Sequence, residues 1–229
     1  MKLSIIIPCY NEQSTIKEIV QKINQQTNIN KEIIIIDDNS SDRTREILEK
    51  EVRNEVNQII FNDKNYGKGY SIRKGIENAS GDCILIQDAD LEYDPNDYGK
   101  LLSPIIHGDA DVVYGSRFIG NDERRVLYFW HTMGNKFLTL LSNMLSNLNL
   151  TDMEVGYKLF KTDVLKNIDL KENRFGFEPE ITAKISKKNI KLYEVGISYF
   201  GRKYTEGKKI TWKDGFSALR CIFKYNLFN

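Results

Sequence analysis

The sequence predicts an α/β fold in which a mostly parallel central sheet is flanked by helices. Two observations carry that reading. Short isoleucine-rich runs at residues 3–7, 33–36 and 83–86 are apolar apart from Ser4, as strands covered on both faces must largely be. Segments of helical periodicity alternate with them, and polar or acidic residues follow each run directly, which is the βαβ pattern of a parallel sheet.

The elements follow in order. Residues 3–7 end at Pro8, and Ile16, Ile19, Val20 and Ile23 then share one helical face. Residues 33–36 close on Asp37 and Asp38, after which Ser40, Ser41 and Asp42 offer N-caps to a helix through Leu48 and Val52. Residues 58–61 form a weaker strand, and the helix over 67–79 stops at Ser80-Gly81 before the buried strand at 83–86. A strand over 111–114 runs into Gly115-Ser116-Arg117. A polar stretch at 121–125 precedes a long helical pattern over 127–148, whose broad apolar face includes Met133, Phe137, Leu140, Met144 and Leu148. A strand at 155–160, a helix at 177–188, a strand at 191–197, a basic glycine-containing loop at 199–210 and an amphipathic helix at about 212–225 complete the chain. No repeat or linker interrupts it, so residues 1–229 are expected to form a single domain.

Charge and cysteine usage narrow the function classes. With 33 basic and 32 acidic residues the net charge is +1, so no whole-molecule field favours nucleic acid, and phosphate recognition must come from local groups. Cys9, Cys83 and Cys221 are widely spaced and lie outside any Cys/His cluster, which fits reduced thiols in an intracellular protein. No run approaches the roughly 18 apolar residues of a membrane span, so any membrane relation is expected to be peripheral.

In parallel sheets ligands bind beyond the carboxyl ends of the strands. The sharpest feature there is Asp88-Ala89-Asp90: two carboxylates at a strand end can share one hard cation while leaving its other positions to phosphate oxygens. The first strand ends in Pro8-Cys9-Tyr10-Asn11-Glu12 with no glycine triplet, which removes both the dinucleotide-binding and the P-loop signatures. Asp37 and Asp38 can accept hydrogen bonds from a base or a ribose, or cap the following helix. Arg117, Arg124 and Arg125 offer forked donors to a phosphate, and Arg202, Lys203, Lys208 and Lys209 form a second basic cluster. His107 and His131 lie apart from the strand ends, where surface or packing roles are expected.

Taken in order, the segments 7–12, 36–42, 87–92, 115–118 and 151–158 resemble the family 2 glycosyltransferases, and within them the dolichol-phosphate mannose synthase and polyprenyl-phosphate glycosyltransferase branch. The resemblance implies a GT-A fold, a GDP- or UDP-linked sugar donor, and Mg²⁺ or Mn²⁺ held by Asp88 and Asp90 with Gln87 or Glu92 assisting. It places Pro8, Tyr10, Glu12, Asp37, Asp38, Lys68 and Ala89 at the donor, with Arg202 and Lys208 closing over its diphosphate. Arg117, aided by Arg124 or Arg125, would face an acceptor phosphate, and Asp90, Arg117 and Asp152 would carry the catalysis. The implied reaction is inverting transfer of one hexose, mannose or glucose first, to a polyprenyl phosphate at the cytoplasmic face of a membrane, with a homodimer or a membrane-protein partner as further expectations. Were the acceptor a glycan hydroxyl instead, Asp152 would be the expected base. A non-catalytic nucleotide-sugar-binding scaffold is the remaining class. The Gln-Arg-Trp signature of processive synthases is absent, since the late tryptophan sits in Ile210-Thr211-Trp212-Lys213.

Overall fold

The computed structural model describes residues 1–120, 125–126, 128–202 and 212–228, the side chains of Trp212 and Lys213 excepted. Arg124, Lys208 and most of the basic loop lie outside the described residues.

Seven strands form one sheet in the order β3-β2-β1-β4-β6-β5-β7. They are β1 (Leu3–Cys9), β2 (Lys31–Asp37), β3 (Gln58–Phe61), β4 (Cys83–Ile86), β5 (Val112–Ser116), β6 (Lys158–Lys161) and β7 (Leu192–Gly196). All run parallel except β6, which is antiparallel to both neighbours. The helices are α1 (Ile16–Asn24), α2 (Thr44–Ile47), α3 (Lys68–Asn78), α4 (Tyr98–Ile106), α5 (Phe129–Ser146), α6 (Thr162–Lys166), α7 (Phe177–Ser186) and α8 (Trp212–Leu227). Ile5, Ile6, Ile7, Ile35, Ile36 and Ile84 are fully buried, so the strands that read as continuously apolar do lie between two helical layers.

Two elements are missing from the sequence reading. Helix α4 follows a turn in which the Asp94 carboxylate accepts from Asn96 N–H with Pro95 at the first position, a start signal hidden behind the acidic run. Helix α6 has only five residues, too short for a periodic signature. Asp42, rather than Asp37 or Asp38, receives the Thr44 N–H at 2.9 Å at the start of α2.

The reversed β6 has a functional consequence. Its first residue, Lys158, pairs with Ile86 at the end of β4 and with Tyr114 near the end of β5. The segment entering an antiparallel strand therefore reaches the same edge as the segments leaving its parallel neighbours, and residues 151–157 join the ends of β1, β2, β4 and β5 there. This is why the strand expected over 155–160 begins only at Lys158.

At the opposite edge Glu32 ties three segments together. Its carboxylate receives Lys2 Nζ at 2.5 Å, Ser4 Oγ at 2.5 Å, Ser80 N at 2.7 Å and Gly81 N at 3.1 Å. Burial alone would raise its pKa, but the Lys2, Ser4 and Ser80 donors outweigh it and hold Glu32 at about 2, below its ordinary 4.5. A depressed carboxylate stabilises the fold above the unfolded value, and that contribution disappears as pH falls through the folded one. Acid titration of the wild type should show a loss of about 1–3 kcal/mol between roughly pH 4.5 and 2 that Glu32→Gln lacks. Coincident acid-unfolding curves for the two proteins would refute the assignment.

Candidate active site

A cavity of about 780 Å³ opens at the carboxyl edge of the sheet. Pro8, Tyr10 and Glu12 reach it from the end of β1, Asp38 from β2, Lys68 from α3, and Asp88, Ala89 and Asp90 from β4. Arg117 after β5 and Arg202 stand on its other walls. Asp38 shapes the loop before α3: its carboxylate accepts from Asn62 Nδ2 at 2.8 Å, Tyr66 N at 3.0 Å and Gly67 N at 2.6 Å. Gly67 has φ +106°, a conformation that side chains resist, and a Cβ there would meet the Asn173 carbonyl at 2.5 Å.

The acidic pair sits on a strained turn. Leu91, the next residue, holds φ +63°, which a branched side chain seldom adopts, and Asp90 Oδ1 accepts the Glu92 N–H at 3.2 Å. Lys68 Nζ lies 2.9 Å from Asp88 Oδ1, and an Arg202 Nη2 lies 3.1 Å from both Asp90 Oδ2 and Glu12 Oε1. Burial, with Asp88 and Glu92 beside it, still pushes Asp90 up to about 7. A Cβ on Gly156 would stand 2.3 Å from Asp88 Oδ2, so glycine there lets the β6 approach pass against the pair. Among the described residues no three His, Cys, Asp or Glu side chains gather around one point. Two hard carboxylates already countered by cations fit a Mg²⁺ or Mn²⁺ that takes its remaining ligands from a diphosphate and water.

Arg117 is clamped by Asp152. Nε donates to Oδ2 at 2.6 Å and Nη2 to Oδ1 at 2.7 Å, while the guanidinium lies 5.1 Å from the Tyr199 ring centroid. Glu194 of β7 accepts from the backbone N–H groups of Thr151 and Asp152, and so fixes the clamp.

Four expected site residues stand elsewhere than the sequence reading put them. Asp152 is fully buried behind Arg117 and does not line the cavity, so it is a counterion rather than a base facing a substrate. Asp37 turns away from the cavity to pair with Arg45 at 2.7 Å. Gln87 is fully buried, its carbonyl oxygen receiving both the Tyr98 and Tyr157 hydroxyls and its amide donating to the Asp88 carbonyl, which leaves no approach for a cation. Arg125 donates from Nη1 to the Gly201 carbonyl at 2.9 Å and does not line the cavity. Glu92, named as a helper, lines the cavity and accepts from the Tyr199 hydroxyl and Arg202 N, which pins the 199–202 segment.

The cavity also holds residues that the sequence reading placed elsewhere or passed over. His131, expected in a surface or packing role, lines the wall through α5. Glu154, in the approach to β6, and Glu178, in α7, do so without belonging to a strand-end motif. Glu178 pairs with Lys68 at 3.1 Å, and burial together with Glu178 pushes Glu154 up to about 8. The signal for Glu154 was its place between Asp152 and Gly156; Glu178 lies inside a helix, away from any strand end, where no motif marks it.

Removing one partner of a buried ion pair leaves the other uncompensated, at a cost of about 3–5 kcal/mol. Asp152→Ala should therefore lower the melting temperature by about 6–20 °C. Calorimetry showing a shift below 2 °C would mean that Arg117 does not depend on Asp152.

The family model for glycosyl transferase family 2 matches residues 4–169. A dolichol-phosphate mannosyltransferase of Pyrococcus furiosus is 29% identical over 227 residues, covering 98% of this chain and 63% of that protein. A dolichyl-phosphate beta-glucosyltransferase of Trichomonas vaginalis is 27% identical over 216 residues, covering 86% of this chain and 65% of its own length. The chain thus spans a little under two thirds of these two relatives. Among solved structures, glucosyl-3-phosphoglycerate synthase from Mycobacterium tuberculosis, in complex with Mn²⁺, UDP and phosphoglyceric acid, superposes with a TM-score of 0.78 at 15% identity, over 100% of this chain and 79% of that one. The fold is therefore GT-A, and with the match running from β1 into the segment after α6, the chain belongs to glycosyl transferase family 2.

Proposed function

We propose that the protein transfers one hexose from a nucleoside-diphosphate sugar to a polyprenyl phosphate with inversion at the anomeric carbon. The observation that carries this reading is that Asp88, Asp90 and the clamped Arg117 line one cavity. The names of the two dolichyl-phosphate relatives support the acceptor class.

Asp88 and Asp90 would hold the divalent ion, which when bound neutralises charge on the departing diphosphate. Lys68 and Arg202, already beside these carboxylates, supply cationic donors to the same diphosphate. Tyr10 and Asp38 form the side of the cavity nearest β1 and β2, where the nucleoside would rest. Arg117 receives the acceptor phosphate, its guanidinium fixed in plane by Asp152 before the substrate arrives. A phosphate monoester has its second pKa near 6, so the attacking oxygen is largely ionised at pH 7 and needs no base. Placing it against the anomeric carbon is then the main task, worth roughly 7–11 kcal/mol in well-oriented systems.

The outer face of α5 supports a lipid-linked acceptor. Phe137 and Met144 are 57% and 72% exposed, and Trp130 is 81% exposed while also lining the cavity. An apolar stripe that begins at the cavity mouth suits a surface lying in a membrane interface beside an isoprenoid chain. Among the described residues no helix is long and apolar enough to cross a membrane. The basic residues of α8 add little to such a surface, because Arg220 and Lys224 both pair with Glu172, and the Lys213 side chain lies outside the described residues.

Incubation with a panel of radiolabelled GDP- and UDP-sugars, a short-chain polyprenyl phosphate and Mn²⁺ or Mg²⁺ should give a lipid-extractable product. Chelator should abolish it, and Asp90→Ala should lower the rate at least about 100-fold. Donor turnover with no lipid product would move the acceptor to another class. In a separate assay, Phe137→Glu with Met144→Glu should reduce co-sedimentation with anionic liposomes several-fold while turnover of the short-chain acceptor persists. Unchanged sedimentation would remove α5 from the membrane surface.

A further inference from the structure

Beneath the acidic pair, the cavity has a floor that the proposed chemistry leaves unexplained. Glu178 is only 4% exposed; its Oε1 faces Lys68, and its Oε2 is buried with no hydrogen-bond partner. Glu154 stands on the same cavity wall, and its Oε1 is likewise buried and unpartnered. Neighbouring donors are engaged elsewhere. Lys158 Nζ donates to the carbonyls of Met153 and Val155, which holds the turn bearing Glu154, and Lys68 is divided between Asp88 and Glu178. Buried acceptors without donors are rare in folded proteins, and where they line a cavity they define what its ligand must bring. Here that ligand must bring hydroxyl or amide donors close to Asp88.

Resting on the nucleotide-sugar reading above, we infer that Glu154 and Glu178 form the floor of the hexose subsite, accept hydrogen bonds from sugar hydroxyls, and select an uncharged sugar over a uronic acid. Lys68 sets the position. By touching both Asp88 and Glu178, it keeps the Glu178 carboxyl within one side chain of the group assigned to the diphosphate, where the sugar is attached. A sugar carboxylate, which lacks the hydroxyl hydrogen, would leave these buried oxygens unpaired and find the nearby ammonium already shared, so lost hydrogen bonds reject it.

The test is calorimetric titration of the metal-loaded protein with a nucleoside diphosphate, its neutral hexose derivative and the matching uronic acid derivative. The wild type should bind the neutral sugar nucleotide at least 10-fold more tightly than the uronate. Glu178→Gln and Glu154→Gln should each weaken the neutral sugar nucleotide about 10-fold, leave the bare diphosphate within about twofold, and narrow the uronate gap. Glu154 makes no hydrogen bond to a described residue through its buried oxygen, so its variant tests the inference even if Glu178→Gln loosens Lys68. Equal losses for diphosphate and sugar nucleotide, or a wild type indifferent to the uronate, would overturn the subsite while leaving the transferase reading standing. Binding of the diphosphate with no gain from any attached sugar would overturn both.

Discussion

Compensation of buried carboxylates at one edge of the sheet is the constraint on which the rest of the structure depends. Parallel strands deliver their carboxyl ends together, and here those ends are acidic. Each carboxylate withdrawn from water needs a cation or several N–H donors, because an isolated buried charge is among the costliest features a fold can contain. The molecule answers residue by residue: Asp37 with Arg45, Asp88 with Lys68, Asp90 and Glu12 with Arg202, Asp152 with Arg117, and Asp38 with three N–H groups. The pairs differ in how deeply they are withdrawn. Asp37 and Asp152 are sealed and serve the fold, whereas Asp88 and Asp90 keep open faces toward the cavity.

The same edge holds two kinds of arginine. Arg117 is locked from behind by Asp152, itself held by Glu194, and so reaches the cavity preorganised. Arg202 stands directly on the carboxylates of Asp90 and Glu12, where an incoming cation would compete with it. On the proposed reading, the first would orient a substrate already in place and the second would exchange partners as one arrives.

How much of this was legible in the sequence depended on the range of each interaction. Strands such as residues 33–36 declare themselves because burial on both faces forces every position to be apolar, and the acidic pair stands out as the first polar residues after such a run. Side-chain direction does not follow from position in a motif. Asp37 and Asp38 are adjacent, yet successive residues leaving a strand point to opposite sides, and only Asp38 lines the cavity. Gln87 and Asp152 lie inside recognisable segments, but their partners Tyr157 and Arg117 are 70 and 35 residues away, brought to them by packing. The reversal of β6 was equally invisible, and with it the arrival of Glu154. Glu178 belongs to an element far down the chain that only the finished fold brings under Asp88.

The pairing of Glu12 with Arg202 spans 190 residues. Chains emerge from the ribosome amino end first, so Glu12, Asp88 and Asp90 exist long before the arginine that balances them. A nascent chain ending short of that residue can form β1 to β4 and their helices, but it exposes an uncompensated acidic rim. Charge compensation at that edge therefore waits for Arg202, which is made after all seven strands.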